Sequence, residues 1–253
     1  MILLFDIGNS TIGVALAKEN SIISNYRLNT DLSKTYDEYF YSLKSIIDIQ
    51  EIKAIAISSV VPRITEQIIK LSRKYFQIEP LVVEVGVKTG ISVKTDAPKE
   101  VGSDLICDCA GLEGLANQGV LIIDLGTATK YLYCKDNAIL GAIITCGIAV
   151  SQKALVTKTA LLPDVELKVP SHVLGRNTTE CIQSGSSYAV AAQIDGLIER
   201  IKLEVKEDFL VLTTGGLSSF ILPLCQHKMI REPLLVFKGL LKIYHKNKEG
   251  NNE

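Results

Sequence analysis

The chain has 253 residues, of which 47% are apolar and 22% are charged, so it can bury a full core as one large domain or as two smaller ones. Its 27 Lys and Arg residues are balanced by 28 Asp and Glu residues, which leaves no overall basic field to attract nucleic acid. No apolar run reaches the roughly 20 residues of a membrane span, and Asp6 interrupts the first one too early for a signal peptide, so we expect neither a nucleic acid nor a membrane partner.

The six cysteines do not follow the spacing of a metal site. Cys107 and Cys109 are two residues apart in a predicted helix, where such side chains face apart. Buried free thiols are therefore expected instead of a zinc site. Free thiols suit a reducing compartment, so we expect a cytoplasmic protein.

The chain opens on an apolar run, residues 2–5, that ends in the polar segment from Asp6 to Thr11. A similar run ends in the segment from Asp124 to Thr129, with Asp124 placed 118 residues after Asp6. Each run predicts a buried strand, and each Asp-x-Gly segment predicts a tight turn into a second strand. Two such hairpins at half-chain spacing predict a duplicated α/β fold, with domains at residues 1–117 and 118–253.

The remaining strands and helices are predicted from their apolar periodicity. Strands are expected at residues 53–60, 81–85 and 209–213, and helices at 36–48, 65–75, 98–115, 150–161, 183–205 and 234–244. Pro98 suits the first turn of its helix. The polar residues 246–253 predict a frayed tail.

The two Asp-x-Gly hairpins predict a site for nucleotide phosphates. Glycine lets the backbone approach a phosphate, and turn amides with Ser, Thr or Asn side chains can donate to its oxygens. The carboxylate repels phosphate, so it is expected to act through a cation or through water. One such hairpin is more often a plain turn, but two aligned copies after buried strands favour phosphate binding.

A third element, Thr214-Gly215-Gly216, follows the strand predicted at residues 209–213. A glycine pair there can let an adenosine lie against the backbone, although alone it is merely a strand-to-helix turn. After two phosphate hairpins it completes a pattern that resembles the actin-like ATPase and sugar kinase superfamily. The resemblance implies duplicated actin-like (ribonuclease H-like) α/β domains with ATP bound in the cleft between them.

A more specific resemblance is to the type III pantothenate kinases. Residues 6–10 and 124–129 resemble the two phosphate motifs of that family, and the segment from Asp96 to Asp104 resembles its substrate and catalytic segment. Later segments resemble the family in the same order, at residues 140–143, 159–163, 175–178 and 183–185. The resemblance covers residue 1 to about residue 244.

The resemblance implies an enzyme that transfers the γ-phosphate of ATP to pantothenate, giving 4′-phosphopantothenate in the first step of coenzyme A biosynthesis. Asp104 is implied as the general base on the primary alcohol. The pantothenate site is implied to include Gly102, Ser103, Asp104, Leu105 and Thr178. The family also implies a homodimer with the substrate site at its interface, where Thr178 of one subunit meets the pantothenate held by the other.

The same resemblance assigns the cofactors. Asp6 is implied to reach Mg²⁺ or its bound water, and Asp124 to help bind a monovalent cation, K⁺ or NH₄⁺. The residues implied to hold ATP are Asp6, Ile7, Gly8, Asn9, Ser10, Thr11, Ile12, Gly13 and Thr127.

The chain departs from the family pattern near the implied base. Thr95 stands where the family usually has Tyr, Ala97 where it has Asn, and Leu105 where it has Arg, while Cys146-Gly147 replaces a usual Pro-Gly. Loss of a charge-assisted hydrogen bond from that Arg costs roughly 1.5–3 kcal/mol, or about ten- to a hundredfold in affinity.

Three lysines could supply a replacement cation or another contact. Lys94 and Lys99 are candidate substitutes for the Arg, although such residues are more often solvated charges. Lys130, directly after Thr129, could instead reach phosphate.

Two alternatives to an active pantothenate kinase remain open from the sequence. One is a catalytically weak family member that acts as a regulatory or binding protein, and the other is a kinase of another small hydroxy acid. Asp104 itself has a plainer explanation, as a carboxylate in a first helical turn that favours the positive end of the dipole.

Overall fold

The computed structural model describes residues 1–112, 114–115 and 117–249. The chain divides into two compact units, one formed by Met1–Leu115, Asn137–Ile139 and Leu234–Glu253, and the other by Ala116–Asp136 and Leu140–Pro233. The predicted second domain, residues 118–253, differs from this division because the segment after Pro233 packs in the first unit.

The secondary structure alternates strands and helices along the chain. The strands are β1 (Ile2–Ile7), β2 (Thr11–Lys18), β3 (Ser21–Asn29), β4 (Ala54–Ser59), β5 (Leu81–Val82), β6 (Ser92–Val93), β7 (Val120–Leu125), β8 (Ala128–Lys135), β9 (Ala138–Cys146), β10 (Leu210–Thr214) and β11 (Ile230–Arg231). The helices are α1 (Tyr36–Lys44), α2 (Pro62–Leu71), α3 (Ser103–Ala110), α4 (Ile148–Lys158), α5 (Thr178–Ser184), α6 (Val190–Val205), α7 (Ser218–Ile221) and α8 (Leu235–Glu249).

The first unit is built on a sheet in the order β3-β2-β1-β4-β5. The central strand β1 pairs antiparallel with β2 and parallel with β4. Successive side chains of a strand point to opposite faces, so Phe5 packs with Tyr39 of α1 while Leu4 packs with Cys107 of α3 and Leu240 of α8. Helices thus cover both faces of the sheet.

The second sheet has six strands in the order β11-β10-β7-β8-β9-β6, and its part β9-β8-β7-β10-β11 repeats this plan. Here β7 pairs antiparallel with β8 and parallel with β10, as β1 does with β2 and β4. Leu121 and Ile123 of β7 pack against Ile194 and Ile198 of α6. The prediction of a duplicated α/β fold is confirmed.

Some predicted elements differ from the structure. The helix predicted at 98–115 is a 3₁₀ turn, Pro98–Glu100, followed by α3, because Val101 and Gly102 between them are extended. The helix predicted at 183–205 is the end of α5, a π-helical turn and α6. The tail predicted to fray from residue 246 is helical to Glu249, and its residues 250–253 lie outside the described part of the chain.

All six cysteines are free thiols. Cys107, Cys109 and Cys134 are buried, as predicted, whereas Cys146 and Cys181 are exposed. Within the described residues, no group of three or more His, Cys, Asp and Glu side chains is placed to hold a metal ion. None of the helices that the structure describes is long and apolar enough to cross a membrane.

Candidate active site

The first phosphate loop, residues 8–10, joins β1 to β2. The N–H of Gly8 donates to the carbonyl of Thr11 (3.0 Å), and the hydroxyl of Thr30 donates to the carbonyl of Gly8 (2.6 Å). The N–H of Thr30 donates to the carbonyl of Ser10 (3.1 Å). The carbonyls of Gly8 and Ser10 are thus bonded within the protein, and Asn9 and Ser10 at the tip of the loop are exposed.

Not every residue of the implied ATP segment faces outward. Ile7 and Ile12 are fully buried and pack in the same cluster as Tyr39 of α1. Only the backbone of these two residues can therefore approach a nucleotide, and their side chains hold the hairpin on the core.

Asp6 is the residue of β1 that follows Leu4 on the face covered by α3 and α8. It stands opposite Gly13 in the antiparallel pair and beside Ser58 in the parallel pair. A Cβ at Gly13 would lie 2.9 Å from the ring of Phe237, so glycine is required there. The residue of β2 opposite Asp6 therefore has no side chain, and the ring of Phe237 lies close to that position.

The start of α3 is tied to the end of β4 by the buried hydroxyl of Ser103. This oxygen accepts a hydrogen bond from the N–H of Ser59 (2.8 Å), donates to the carbonyl of Ser59 (3.0 Å) and lies 3.2 Å from the hydroxyl of Ser58. The hydroxyl of Thr65 donates in turn to that of Ser59 (2.7 Å). Since Ser58 neighbours Asp6 in the sheet, this network sets α3 beside the strand of Asp6.

Asp104 lies in the first turn of α3, where its Oδ1 accepts a hydrogen bond from the N–H of Leu105 (2.9 Å). A Cβ at the preceding Gly102 would lie 2.5 Å from that oxygen. Burial raises the pKa of the Cys107 thiol well above its usual value, and the carboxylates of Asp6 and Asp104 are among the charges that raise it further. Asp104 follows Ser103 directly, and the Ser103 hydroxyl lies 3.2 Å from that of Ser58, the sheet neighbour of Asp6.

Leu105 is only 7% exposed, so it packs in the protein where the family usually has Arg. Lys94 and Lys99, the candidate substitutes, are both exposed. The hydroxyl of Thr95 is buried and has no hydrogen-bond partner within the described residues. A buried polar atom without a partner among the described residues thus lies directly before the segment from Asp96 to Asp104.

In the second unit, Asp124 of β7 forms an ion pair with Lys130 of β8, whose Nζ lies 2.7 Å from Oδ2. The turn after β10 passes close to the other oxygen, since a Cβ at Gly215 would lie 2.6 Å from Oδ1. Gly215 has a φ of +86°, which glycine adopts without strain. The residues around Asp124 therefore do not fit the implied monovalent cation well, because an ammonium group already contacts the carboxylate.

The second phosphate loop adjoins the start of α4. Gly147, the N-cap residue, donates its N–H to the carbonyl of Thr127 (3.1 Å). A Cβ at Gly147 would lie 2.3 Å from the carbonyl oxygens of Gly126 and Thr127, so only glycine allows this approach. The exposed Thr127 thus lies beside the N-terminus of an 11-residue helix, where the helix dipole favours an anion.

Thr178 begins α5, directly after the N-cap Asn177, whose side chain accepts a hydrogen bond from the N–H of Glu180 (2.9 Å). It lines a cavity of about 430 Å³ in the second unit. The cavity is mainly apolar and is also lined by Ile148, Leu155, Leu162, Cys181, Ile182 and Val190.

The family model for type III pantothenate kinases matches residues 2–200. The chain belongs to the type III pantothenate kinase family. It is 49% identical over 247 residues to a type III pantothenate kinase of Acholeplasma laidlawii, with 98% of this chain and 99% of that protein covered. A type III pantothenate kinase of Bacillus cytotoxicus is 36% identical over 253 residues, with 98% and 97% covered.

Solved structures agree on the fold. A Campylobacter jejuni protein described as a Baf family transcriptional activator has a TM-score of 0.61 at 20% identity, with 98% of this chain and 99% of that one covered. The inorganic polyphosphate/ATP-glucomannokinase of Arthrobacter sp. strain KM has a TM-score of 0.51 at 12% identity, with 98% of each chain covered. The actin-like fold is confirmed, and membership of the type III pantothenate kinase family makes the chain an ATP-dependent kinase.

Three features of the candidate site were not predicted from the sequence. They are the hold of Thr30 on the first loop, the tie between Ser103 and Ser59, and the pairing of Lys130 with Asp124. The first two join residues 22 and 44 positions apart, so no local motif indicates them. The third could have been predicted, because Lys130 stands at the start of the second strand of a predicted hairpin, across from Asp124.

Proposed function

We propose that the protein transfers the γ-phosphate of ATP to the primary hydroxyl of pantothenate, and that Asp104 accepts the proton of that hydroxyl. The observation that supports this best is the link between the start of α3 and the strand of Asp6. The hydroxyl of Ser103, next to Asp104, lies 3.2 Å from that of Ser58, which neighbours Asp6 in the sheet. A carboxylate for a cation, donors for phosphate and a base for the alcohol are the parts that phosphoryl transfer needs.

In this reaction the hydroxyl oxygen of pantothenate bonds to the γ-phosphorus, and the bond from that phosphorus to the bridging oxygen breaks. ADP leaves with the electron pair, and the hydroxyl proton passes to the Asp104 carboxylate. The chain contributes mainly position, since the loop held by Thr30 and the helix held by Ser103 fix donor and acceptor groups before the reaction.

The surroundings of Asp6 fit Mg²⁺. This ion prefers oxygen ligands and is commonly bound through one or two carboxylates together with substrate phosphates. Asp6 lies near the end of β1, directly before the phosphate loop, and it would hold the ion directly or through water. Bound Mg²⁺ supplies charge neutralisation on the phosphates.

The acceptor side is the less complete part of the site. Thr95 offers a buried hydroxyl without a protein partner, which supports a polar ligand beside the segment from Asp96 to Asp104. Leu105 cannot meet a carboxylate, so Lys94 or Lys99 is proposed to meet that of pantothenate. Gly102 and Thr178 remain proposed as further contacts of the acceptor.

We also propose a homodimer in which Thr178 contributes to the site of the partner subunit. The second unit exposes large apolar side chains, namely Leu140, Ile144, Leu155, Leu161, Val173 and Leu174. Soluble monomers rarely expose extended apolar surface without a function for it, and a second copy would cover it. The six free thiols support a cytoplasmic location.

Release of ADP by the purified protein tests the proposed function. ATP and Mg²⁺ should give ADP rapidly with pantothenate, and much more slowly without it or with other small hydroxy acids. Faster release with another hydroxy acid would identify a different substrate. If no acceptor increases the release of ADP, the result would support the regulatory alternative. The family match and the presence of Asp6, Asp104 and Asp124 do not favour that alternative.

A further inference from the structure

Asp124 and Lys130 face each other across the second hairpin. The register of β7 and β8 places them directly opposite, and opposed residues of an antiparallel pair lie on the same face of the sheet. The Lys130 Nζ is 2.7 Å from the Asp124 Oδ2, and the two side chains are only 16% and 18% exposed. This is a largely enclosed ion pair at the length of a charge-assisted hydrogen bond.

The first hairpin differs at the matching position. The residue directly opposite Asp6 is Gly13, which has no side chain. The two copies of the motif therefore differ in what lies beside the carboxylate. In the first copy the residue opposite the carboxylate has no side chain, whereas in the second copy it is Lys130, whose ammonium group contacts the carboxylate.

The other side of Asp124 is closed by backbone. A Cβ at Gly215 would lie 2.6 Å from the Asp124 Oδ1 and 2.6 Å from the amide nitrogen of Leu125. The turn after β10 thus passes within van der Waals distance of the carboxylate. A monovalent ion at Asp124 would have to displace the Lys130 ammonium, which carries the same charge and is attached to the chain.

We propose that the Lys130 ammonium takes the place of a monovalent cation at Asp124, so that the protein needs neither K⁺ nor NH₄⁺. This inference rests on the proposed function only for the role of Asp124 near the nucleotide. An attached ammonium neutralises the carboxylate at every salt concentration, whereas a free ion does so only when its concentration exceeds its dissociation constant.

The test compares potassium chloride with choline chloride at equal ionic strength, because choline is too large to replace K⁺. Two quantities are measured, turnover with ATP, Mg²⁺ and pantothenate, and the midpoint of thermal unfolding with ATP present. For the unchanged protein both should be the same in the two salts. The Lys130→Met variant removes the ammonium and keeps the length of the chain, and potassium should raise its turnover about tenfold and raise its midpoint.

The matched control is Lys135→Met. Lys135 lies on the same strand and pairs with Glu207, outside the phosphate loop, so this variant should respond equally to the two salts. A potassium stimulation of the unchanged protein above about fivefold would overturn the inference without any variant. Equal turnover and equal thermal midpoints of Lys130→Met in the two salts would also overturn the inference.

Failure of the proposed function would look different. In that case no acceptor gives turnover in either salt, while the thermal midpoints still show whether potassium binds the unchanged protein and the Lys130→Met variant. If Lys130→Met does not fold, the salt response of the unchanged protein decides the question by itself.

Discussion

Asp104 combines a position at the start of a helix with a proposed role as the general base. It lies in the first turn of α3, where the helix dipole stabilises a carboxylate. It also follows Ser103, whose hydroxyl lies 3.2 Å from that of Ser58, the sheet neighbour of Asp6, and this position fits the proposed base. A helix-start carboxylate affects stability, whereas a general base affects the rate of the chemical step, so one substitution can separate the two.

The Asp104→Asn variant should keep its shape and lose the base. We expect turnover to fall by about 10²–10⁴, with little change in ATP affinity, because the carboxylate acts at the acceptor. Steady-state kinetics and ATP titration measure both quantities. Glu100→Gln, an exposed acid in the preceding turn, is the control and should retain full turnover. If Asp104→Asn stays within about threefold of the unchanged protein, only the helix-start role stands.

Candidate site residues can be proposed from the sequence where the pattern that marks them is local. Asp6 and Gly8 follow from a strand that ends in a tight turn, and Asp104 from a motif within one segment. Ser103 was predicted to line the substrate site, but its hydroxyl is bonded to the backbone of Ser59. That role depends on how α3 packs against β4, which no spacing in the sequence indicates.

At the scale of elements, α3 depends on its contact with α8. A Cβ at Gly239 of α8 would lie 1.7 Å from the carbonyl oxygen of Cys107, and a Cβ at Gly111 would lie 2.5 Å from that of Leu235. The two helices therefore approach each other closely at Gly111, which ends α3, and at Gly239 of α8. Because α3 carries Asp104, this contact links the packing of α8 to the site.

The Gly239→Ala variant should disturb that contact. The new methyl group must push the helices apart, and overpacking of this kind costs about 1–3 kcal/mol of unfolding free energy. Turnover should fall as well, since α3 moves with Asp104. Urea unfolding and kinetics measure the two effects. Gly196→Ala is the matched control, because no atom outside its own helical turn lies within 4 Å of the Cβ position in α6. Its unfolding free energy should rise by about 0.5–1 kcal/mol. Equal stability of the two variants would contradict the close approach.

A second contact between elements joins His227, in the segment between α7 and β11, to α6. The Nδ1 of His227 lies 2.8 Å from Asp195 and its Nε2 lies 2.6 Å from Glu199. The hydrogen bond to Asp195 raises the pKa of His227, and the bond to Glu199 adds to the rise. Burial alone would raise the pKa of Asp195, but the N–H of Gln226 and the imidazole of His227 bring it below its usual value.

These shifts fix the pH range of the contact. A raised histidine pKa gives stabilisation that is complete below the unfolded value of about 6.5 and is lost as pH rises through the folded value. A lowered carboxyl pKa gives stabilisation that is lost only in acid. The unfolding free energy of the unchanged protein should therefore be higher than that of His227→Gln. This difference should be largest near about pH 5–6 and should shrink as the pH rises. Urea unfolding across pH measures this, and a constant difference from pH 5 to pH 9 would contradict it.

Elements were predictable where burial is one-sided or complete. The strands β1 and β7 are continuous apolar runs, and both were predicted. The strand β3, whose side chains alternate between exposed and half-buried, was missed because no apolar run marks it. The position of α8 on the first unit could not be predicted either, since its partners Leu4 and Cys107 lie over 100 residues away in the sequence.

At the scale of the whole molecule, the proposed homodimer predicts complementation between two inactive variants. One chain carries Asp104→Asn and the other carries Thr178→Trp. Each variant alone should be nearly inactive. If Thr178 serves the site of the partner subunit, a mixed dimer has one site with both changes and one intact site. Co-refolded mixtures should then regain up to roughly a quarter of full activity, because half of the dimers are mixed.

Tagged chains establish that the subunits have exchanged, and light scattering establishes the mass of the assembly. Exchange without recovered activity would show that Thr178 and Asp104 serve one site in a single chain. A monomer by light scattering would contradict the homodimer before any mixing.

The placement of α8 has a consequence for how the protein is made. The ribosome synthesises all of the second unit before it reaches Leu235, yet α8 covers one face of the sheet that opens the chain. Domains usually fold in the order of their synthesis, but here the N-terminal sheet must wait with Leu4 and Ala56 only partly covered, by α3, while the unit encoded after it can already close. A nascent chain that stalls between residues 215 and 235 would therefore present this apolar face to chaperones, and the early-made half would be the last to resist a protease.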